Sequence, residues 1–436
     1  MHSTATARRE PIRDGTGEQG SGRAGDAAAG EPMRHDAQGH AAAGPLRITV
    51  FDTIEAAEAP WRALEKTAIF TPYQRYDWIK ALFDSRGLDG KRCAVAVIEN
   101  ETGLAALFPF AIGRRFGVST AEIIGADIGN AGWLPVQRGA ALRFTPAVLM
   151  QIFAAIGRVV AGLDMVFLRN QPGTWLGLDN PLLAFQHQPA PDHLYVAPID
   201  PATPRAHLNG KRIRNLQRGR RRLEEAMGPV TLRRANSVDE IERVHAAFLQ
   251  QRGARFAQMG VRNIFAEDWF VAFFKRAAAI SLGSDLPALR FHALYAGDQI
   301  VATSCGACAG THYSQYINST ASGPAARYSL MGILMYELVA EFAGMGITSL
   351  DMGLGDFDYK SDWTDKQLVH DSVIPVTAAG RIAAPVVRGL RRLKRAIKQN
   401  ETLFGLFKRL RAMMLKSKDQ DDGATTAPAP DSEETR

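Results

Sequence analysis

Two stretches of the chain carry the same order of signals, and that repetition limits the fold more than any other feature. In the second stretch, Ser237-Val-Asp-Glu240 reads as a capping box, with the serine oxygen and the Glu240 carboxylate satisfying otherwise orphaned helix amides. Ile241, Val244, His245 and Phe248 follow at helical spacing, and a second helix over 267–280 carries Trp269, Phe270, Phe273 and Phe274. Strands over 289–295, from Ile300 and over 312–318 follow, joined by turns at Gly297-Asp298 and Gly310-Thr311. A helix over 329–344, stopped by Gly344 and Gly346, feeds a short strand over 347–351. The first stretch repeats the plan. Helices are expected over 53–66 and 74–83, a hairpin over 94–99 and 104–112, and a strand over 121–124. A helix over 146–161 and a closing strand over 165–168 complete it. One plan stated twice predicts an α+β chain of two similar domains, 45–200 and 201–380. Each is expected to hold a mixed, mostly antiparallel sheet flanked by helices. Pro172, Pro181, Pro189, Pro191 and Pro198 mark the seam expected near 170–205.

Outside the repeat, residues 1–44 and 419–436 are poor in large apolar side chains and are expected to be disordered tails. Three cysteines cannot build a disulfide framework, which predicts a reducing compartment. No apolar signal region precedes residue 45, and the longest uncharged run, 299–326, is too polar for a bilayer, so a cytoplasmic location is expected. The net charge of +7 gathers in two patches on an otherwise acidic chain. Residues 205–222 hold eight Lys/Arg and no acid; residues 388–416 hold ten against Glu401 alone. Nucleic-acid binders usually spread their basic residues more widely, so no nucleic-acid partner is expected. Ile213, Leu216 and Leu223 give the first patch a narrow apolar stripe. Its arginines suit a solvated face, or one that steers an anionic polymer or coenzyme phosphates. In the basic segment 381–418, Leu390, Leu393, Ile397, Leu403, Phe407, Leu410 and Met414 recur at helical spacing. Such an amphipath either lies on the inner membrane surface, through residues 388–416, or packs on its own protein.

Three segments carry a family resemblance. Phe70-Thr-Pro-Tyr-Gln-Arg-Tyr-Asp-Trp78 resembles the opening segment of the CelD/BcsL-type acetyltransferases. Lys211-Arg-Ile-Arg-Asn-Leu-Gln-Arg-Gly-Arg-Arg-Arg-Leu223 is similar to the basic helix before their second domain. Leu350-Asp-Met-Gly-Leu-Gly-Asp-Phe-Asp-Tyr-Lys360, followed by Trp363, resembles their Asp-x-Gly-x-Gly-Asp-x-x-Tyr-Lys ending. The resemblance implies two tandem GNAT-like halves packed as in the FemABX peptidoglycan transferases, and a link to cellulose or other exopolysaccharide production. It also implies acetyl-CoA as co-substrate, with no tightly bound cofactor or metal, and a sugar or polysaccharide precursor as partner.

An acetyl thioester needs its pyrophosphate held, its carbonyl oxygen stabilised and the attacking group deprotonated. Helix N-terminal amides hold pyrophosphate well, which points to Arg327, Tyr328, Ser329 and Gly332 between the third strand and the long helix. The usual Gln/Arg-x-x-Gly-x-Gly/Ala fingerprint is absent, because the glycine after Arg327 is Gly332. A plain strand-to-helix connection is therefore the competing reading. Asp351, Asp356, Tyr359 and Lys360 are the catalytic candidates: a carboxylate as base, Tyr359 as acid to the leaving thiolate. Their alternative is a surface turn in which an aspartate pairs with Lys360. Strand alternation sends His312, Ser314, Tyr316 and Asn318 to one face. With Trp363, His312, Tyr316 and Asn318 are the substrate-wall candidates, and a solvent-facing strand side is the rival. Cys305-Gly-Ala-Cys308 places its sulfurs on opposite strand faces, which argues against redox or metal work. The function expected is acetyl-CoA-dependent acylation of an amine or hydroxyl. FemABX-like aminoacyl transfer and a non-catalytic GNAT-like scaffold for polysaccharide synthesis at the membrane are the alternatives.

Overall fold

The computed structural model describes residues 7–11, 46–141, 144–259, 262–280, 282–284, 287–400, 402–403 and 405. Apart from Ala7–Pro11, the expected tails fall outside the described residues, as do residues 406–418. Ala7–Pro11 forms an edge strand, β1, antiparallel to β2 (Arg47–Phe51). An open sheet edge offers unpaired amides that a nearby segment can take up.

The first half continues with α1 (Glu58–Glu65), α2 (Tyr76–Arg86), β3 (Arg92–Asn100), β4 (Gly103–Arg115) and β5 (Val118–Ile123). It closes with α3 (Pro146–Val159) and β6 (Met165–Pro172). β7 (His187–Pro198) and α4 (Gly210–Met227) lead into the second half. That half comprises β8 (Val230–Arg234), α5 (Val238–Gln258), α6 (Asp268–Ala279), β9 (Leu289–Ala296), β10 (Gln299–Ala309) and β11 (His312–Thr320). α7 (Leu330–Met345), β12 (Ser349–Leu354), β13 (Asp365–Pro375) and α8 (Ala378–Gln399) complete the described chain. The repeat read from periodicity is present in both halves, element by element.

The strands form one sheet in the order β1-β2-β3-β4-β5-β6-β13-β7-β12-β11-β10-β9-β8, with Ala68–Ile69 and Val136–Gln137 attached at the side. The halves exchange their last strands. β7, which follows the first half, pairs with β12 of the second; β13, which follows the second half, pairs with β6 of the first. β7 and β13 then pair with each other. The seam read from its prolines thus contains a central strand, and the β7–β13 ladder shifts register between Pro189 and His193. Proline cannot donate to a ladder, so the break falls where Pro189 and Pro191 stand.

An aromatic cluster joins the halves on one sheet face. Trp78 of α2 packs edge-on against Phe273 of α6 at 4.8 Å and against Tyr316 of β11 at 5.0 Å. On the other face α7 is apolar nearly all round, from Leu330 to Phe342, because α4 covers it with Leu216 and Leu223. Cys305 and Cys308 are buried in different core clusters, one per face, and burial raises both thiols, Cys308 to about 11.

Candidate functional site

β11 and β12 pair in parallel at His312–Ser349, Tyr313–Leu350 and Ser314–Asp351, and then part. β11 runs on to Thr320 bonded to β10, while β12 turns to β7. A fork opens, and Gln315–Thr320 presents a backbone edge toward it. α7 begins beside this fork, since the Gln315 amide reaches the Met331 and Met335 sulfurs in its first turns. The Ser329 side chain makes no capping hydrogen bond to α7, and Ser329 is left-handed at φ 55°, ψ 45°. Such a backbone costs about 1–2 kcal/mol in a non-glycine residue. Gly332 is buried: a Cβ there would lie 2.8 Å from Leu216 Cδ2, so glycine lets α4 close on α7. Arg327 is exposed, its guanidinium 4.9 Å over the Tyr328 ring, and both line a shallow groove of about 490 Å³ with Arg222 and Glu225.

At the crotch of the fork lies a buried polar chain. Asp351 is fully buried and its carboxylate accepts from His312 Nε2 at 2.7 Å, Ser314 Oγ at 2.8 Å and the Gly353 amide at 2.8 Å. His312 is held on its other side by Ser349 Oγ at 2.9 Å and lies against Trp175 at 4.3 Å. Both imidazole nitrogens are engaged, so His312 orients Asp351. Ser314 Oγ lies 2.5 Å from the Tyr73 hydroxyl, which also accepts from Asn130 Nδ2 at 2.8 Å. Burial first, and then the Asp351 charge, push the Tyr73 phenol well above its ordinary range. Asn130 stands so close to Gly353 that a Cβ there would lie 2.7 Å from its Nδ2. The first half therefore completes the second half's polar chain.

The remaining candidates separate. Lys360 is buried, and its Nζ donates to the carbonyls of Leu354 at 2.8 Å, Gly355 at 3.0 Å and Gly353 at 3.3 Å. Burial lowers its ammonium to about 8. It clamps the turn after β12, which replaces the pairing with an aspartate considered from sequence. Gly353 and Gly355 take φ of 71° and 90°, conformations that favour glycine in that turn. Asp356 is half-exposed and belongs to a different group, accepting from Tyr195 at 2.9 Å and Lys366 at 3.1 Å. Burial opposes its charge, but those two donors prevail and hold it below the ordinary carboxylate range. Tyr359 accepts from Asn318 Nδ2 at 3.3 Å, and burial raises its phenol. Trp363 is buried against His207 at 5.6 Å.

Strand alternation needs one correction. Cys305 faces Ile317 and Gly306 faces Gln315, so Tyr316 is a bulged extra residue in β11. The bulge reverses the faces that follow. Ile317 joins the aromatic core, Ser319 bonds Gln251 of α5, and Asn318 turns to Tyr359, away from the face of Ser314 and Tyr316. Tyr316 itself is packed among Tyr73, Trp78 and Phe274, its hydroxyl on the Ile128 carbonyl at 2.9 Å. Tyr73 stands in the Phe70–Trp78 segment, where sequence gives it no role of its own, and Asn130 carries no sequence signal. The Tyr73–Ser314 contact spans 241 residues, beyond the reach of local pattern.

The matching fork of the first half is filled. β5 and β6 pair at Thr120–Met165 and Ala121–Val166, then part. The Gly132 amide bonds the Asn170 carbonyl at 3.0 Å there, and a Cβ on Gly132 would run into the Arg169 carbonyl. Arg169 also pairs with Glu122 at 2.5 Å. α3 is capped, Thr145 Oγ1 accepting from the Val148 amide at 3.3 Å. One fork is occupied by its own chain and stands by a capped helix; the other stands by an uncapped one.

Residues 210–361 match the family model described as an acetyltransferase (GNAT) domain. No curated protein matches the chain. FemX is similar in structure with a TM-score of 0.53 at 9% identity, over 76% of this chain and 97% of that one. L-PGS from Bacillus licheniformis gives 0.41 at 12%, over 72% and 96%. A tandem GNAT protein from the clavulanic acid biosynthesis pathway gives 0.39 at 9%, over 76% and 99%. Residues 210–361 thus form a GNAT acyltransferase-like domain, set in a mixed α+β fold that FemX shares.

Proposed function

We propose that the chain transfers an acyl group, acetyl foremost, from coenzyme A to an amine or hydroxyl of a sugar or exopolysaccharide precursor. The observation that carries this reading is the parting of β11 and β12 beside the start of α7, where Ser329 gives no side-chain cap. A pantetheine arm is an amide-bearing, nearly extended chain, and the Gln315–Thr320 edge offers it backbone partners as a neighbouring strand would. The amides opening α7, at Leu330, Met331 and Gly332, supply donors and a positive dipole end to the pyrophosphate, with Arg327 at the rim.

The buried chain supplies the proton path. Ser314 donates to Asp351, so its oxygen is free to accept from Tyr73. When the attacking group gives its proton to the Tyr73 oxygen, Tyr73 passes its own to Ser314, and Ser314 passes its own to Asp351. Tyr73 stays neutral at the start and end of the transfer, as its raised phenol requires. Asp351 is the terminal base, and Lys360 holds the turn that frames it.

Calorimetric titration of the full chain with acetyl-CoA tests the reading: saturable binding is expected, and no binding by folded protein overturns it. Loss of turnover in Asp351→Asn with acetyl-CoA binding retained distinguishes an enzyme from a scaffold; full activity of that variant removes Asp351 as the base.

A second reading, aminoacyl transfer, draws on one observation. Lys211, Arg214, Arg218 and Arg222 are exposed along one face of α4. Aminoacyl-tRNA displacing acetyl-CoA would favour it, and failure to compete would dispose of it.

A further inference from the structure

α8 is built for two environments. Ala383, Ala384 and Val387 are buried, the last two in one cluster with Met165, Phe167 and Val373 of the sheet. On the outside, Ile382, Val386, Leu390 and Leu393 recur every three or four residues and are 79%, 49%, 49% and 57% exposed. Scattered exposed aliphatics are ordinary, but four in one helical row are a patch. Among the described residues nothing covers them. No described helix is long and apolar enough to cross a membrane.

A second feature stands beside the helix. The turn between β4 and β5 exposes Phe116, 52% accessible and left-handed at φ 50°, next to exposed Arg114. Val118, two residues further on, packs on the cluster of Ala384 and Val387. The aromatic tip and the aliphatic row therefore border the same part of the molecule.

The charges on this side identify the partner. α8 contains no Asp or Glu. Its inward basic residues are used within the protein: Arg388 on the Val373 carbonyl, Arg391 on Asp371, Arg395 on the Ala190 carbonyl and Lys398 on Asp192. Arg381 and Lys394 are exposed, and so is Arg392, whose Nε donates to the Gln188 side-chain oxygen at 2.9 Å. A second copy docking here would bring an equally basic helix against this one. An anionic lipid surface neutralises that charge and takes up the apolar row, the pattern of an interfacial amphipathic helix.

We infer that α8 and the Phe116 turn seat the protein on anionic lipid, with Ile382, Val386, Leu390, Leu393 and Phe116 entering the headgroup boundary. This goes beyond acyl transfer and stands or falls separately from it.

Sedimentation of the full chain with vesicles is the test, comparing phosphatidylcholine alone with phosphatidylcholine and phosphatidylglycerol mixed. Binding is expected to the mixed vesicles, weakened by salt. The double variant Ile382→Ser, Leu393→Ser is expected to lose binding at least about tenfold, because each change removes an exposed apolar anchor. Phe116→Ser alone is expected to weaken it less. All three positions are exposed, so an unchanged melting curve and unchanged acetyl-CoA titration show that the variants fold. No binding to mixed vesicles, or full binding by the double variant, overturns the inference. So does a dimer in gel filtration that the double variant converts to monomer without any vesicle effect, since the row would then belong to a second copy.

Discussion

Asp351 holds the buried polar chain together, and the proposed relay adds a chemical role to that structural one. A carboxylate out of water survives only if donors surround it, and His312, Ser314 and the Gly353 amide do so. Replacing it with asparagine leaves the shape and removes the charge. We expect Asp351→Asn to lower turnover by on the order of a hundredfold or more while the protein stays folded, as loss of a positioned base does. Tyr73→Phe is expected to cost a similar factor, and the double variant little beyond either single one, because residues of one relay act as a unit. Thiol release from acetyl-CoA measures all three; multiplicative losses in the double variant would show that Tyr73 and Asp351 act independently. His245 makes a separate prediction. It is buried among Phe248, Phe274 and Phe291, with neither ring nitrogen bonded among the described residues, and burial lowers it to about 4. A folded value below the unfolded one means stability is full above pH 6.5 and falls as pH drops toward 4. The loss reaches about 3 kcal/mol at about 1.4 kcal/mol per pH unit. Denaturant titrations should show this slope in the native chain and a shallower one in His245→Phe; equal slopes would refute the assignment.

At the scale of elements, α4 closes on α7 at Gly332, beside the helix start to which the proposed reading assigns the pyrophosphate. Gly332→Val would drive a side chain into Leu216, already 2.8 Å from a Cβ. Overpacking of this kind costs about 1–3 kcal/mol. A lower melting temperature and weaker acetyl-CoA affinity are expected, with partial recovery of both in Gly332→Val, Leu216→Ala. Absence of recovery would mean that the helix contact is not the cause. Elements were also where sequence reading succeeded and stopped. The capping box at Ser237 fixes the start of α5, and its Ser237 oxygen does accept from the Glu240 amide at 3.2 Å. The aromatic period over Phe270, Phe273 and Phe274 marks the buried face of α6. The bulge at Tyr316 was not legible, because an extra residue in β11 leaves alternation looking unbroken until its partner strand is seen. The 187–198 strand was hidden by Pro189, Pro191 and Pro198, which read as linker.

Across the whole molecule, the exchange of β7 and β13 makes each half depend on the other's strand. Residues 210–361 omit both strands, so expressed alone they leave β12 unpaired on the β7 side. We expect that fragment to be insoluble or molten, and the full chain to unfold in a single transition by circular dichroism and tryptophan fluorescence together. Two separated transitions would show that the halves are independent. Local pattern revealed the two copies, while the strand exchange and the first half's gift of Tyr73 and Asn130 to the second half's site depend on contacts far apart in sequence. In the proposed reaction the fork of the second half receives the thioester. Hydrogen exchange with and without acetyl-CoA measures this most directly. Slowed exchange is expected at Gln315–Thr320 and at Leu330–Gly332, with the first-half strands β5 and β6 unchanged; slowing confined to the first half, or none at the fork despite binding, would contradict it.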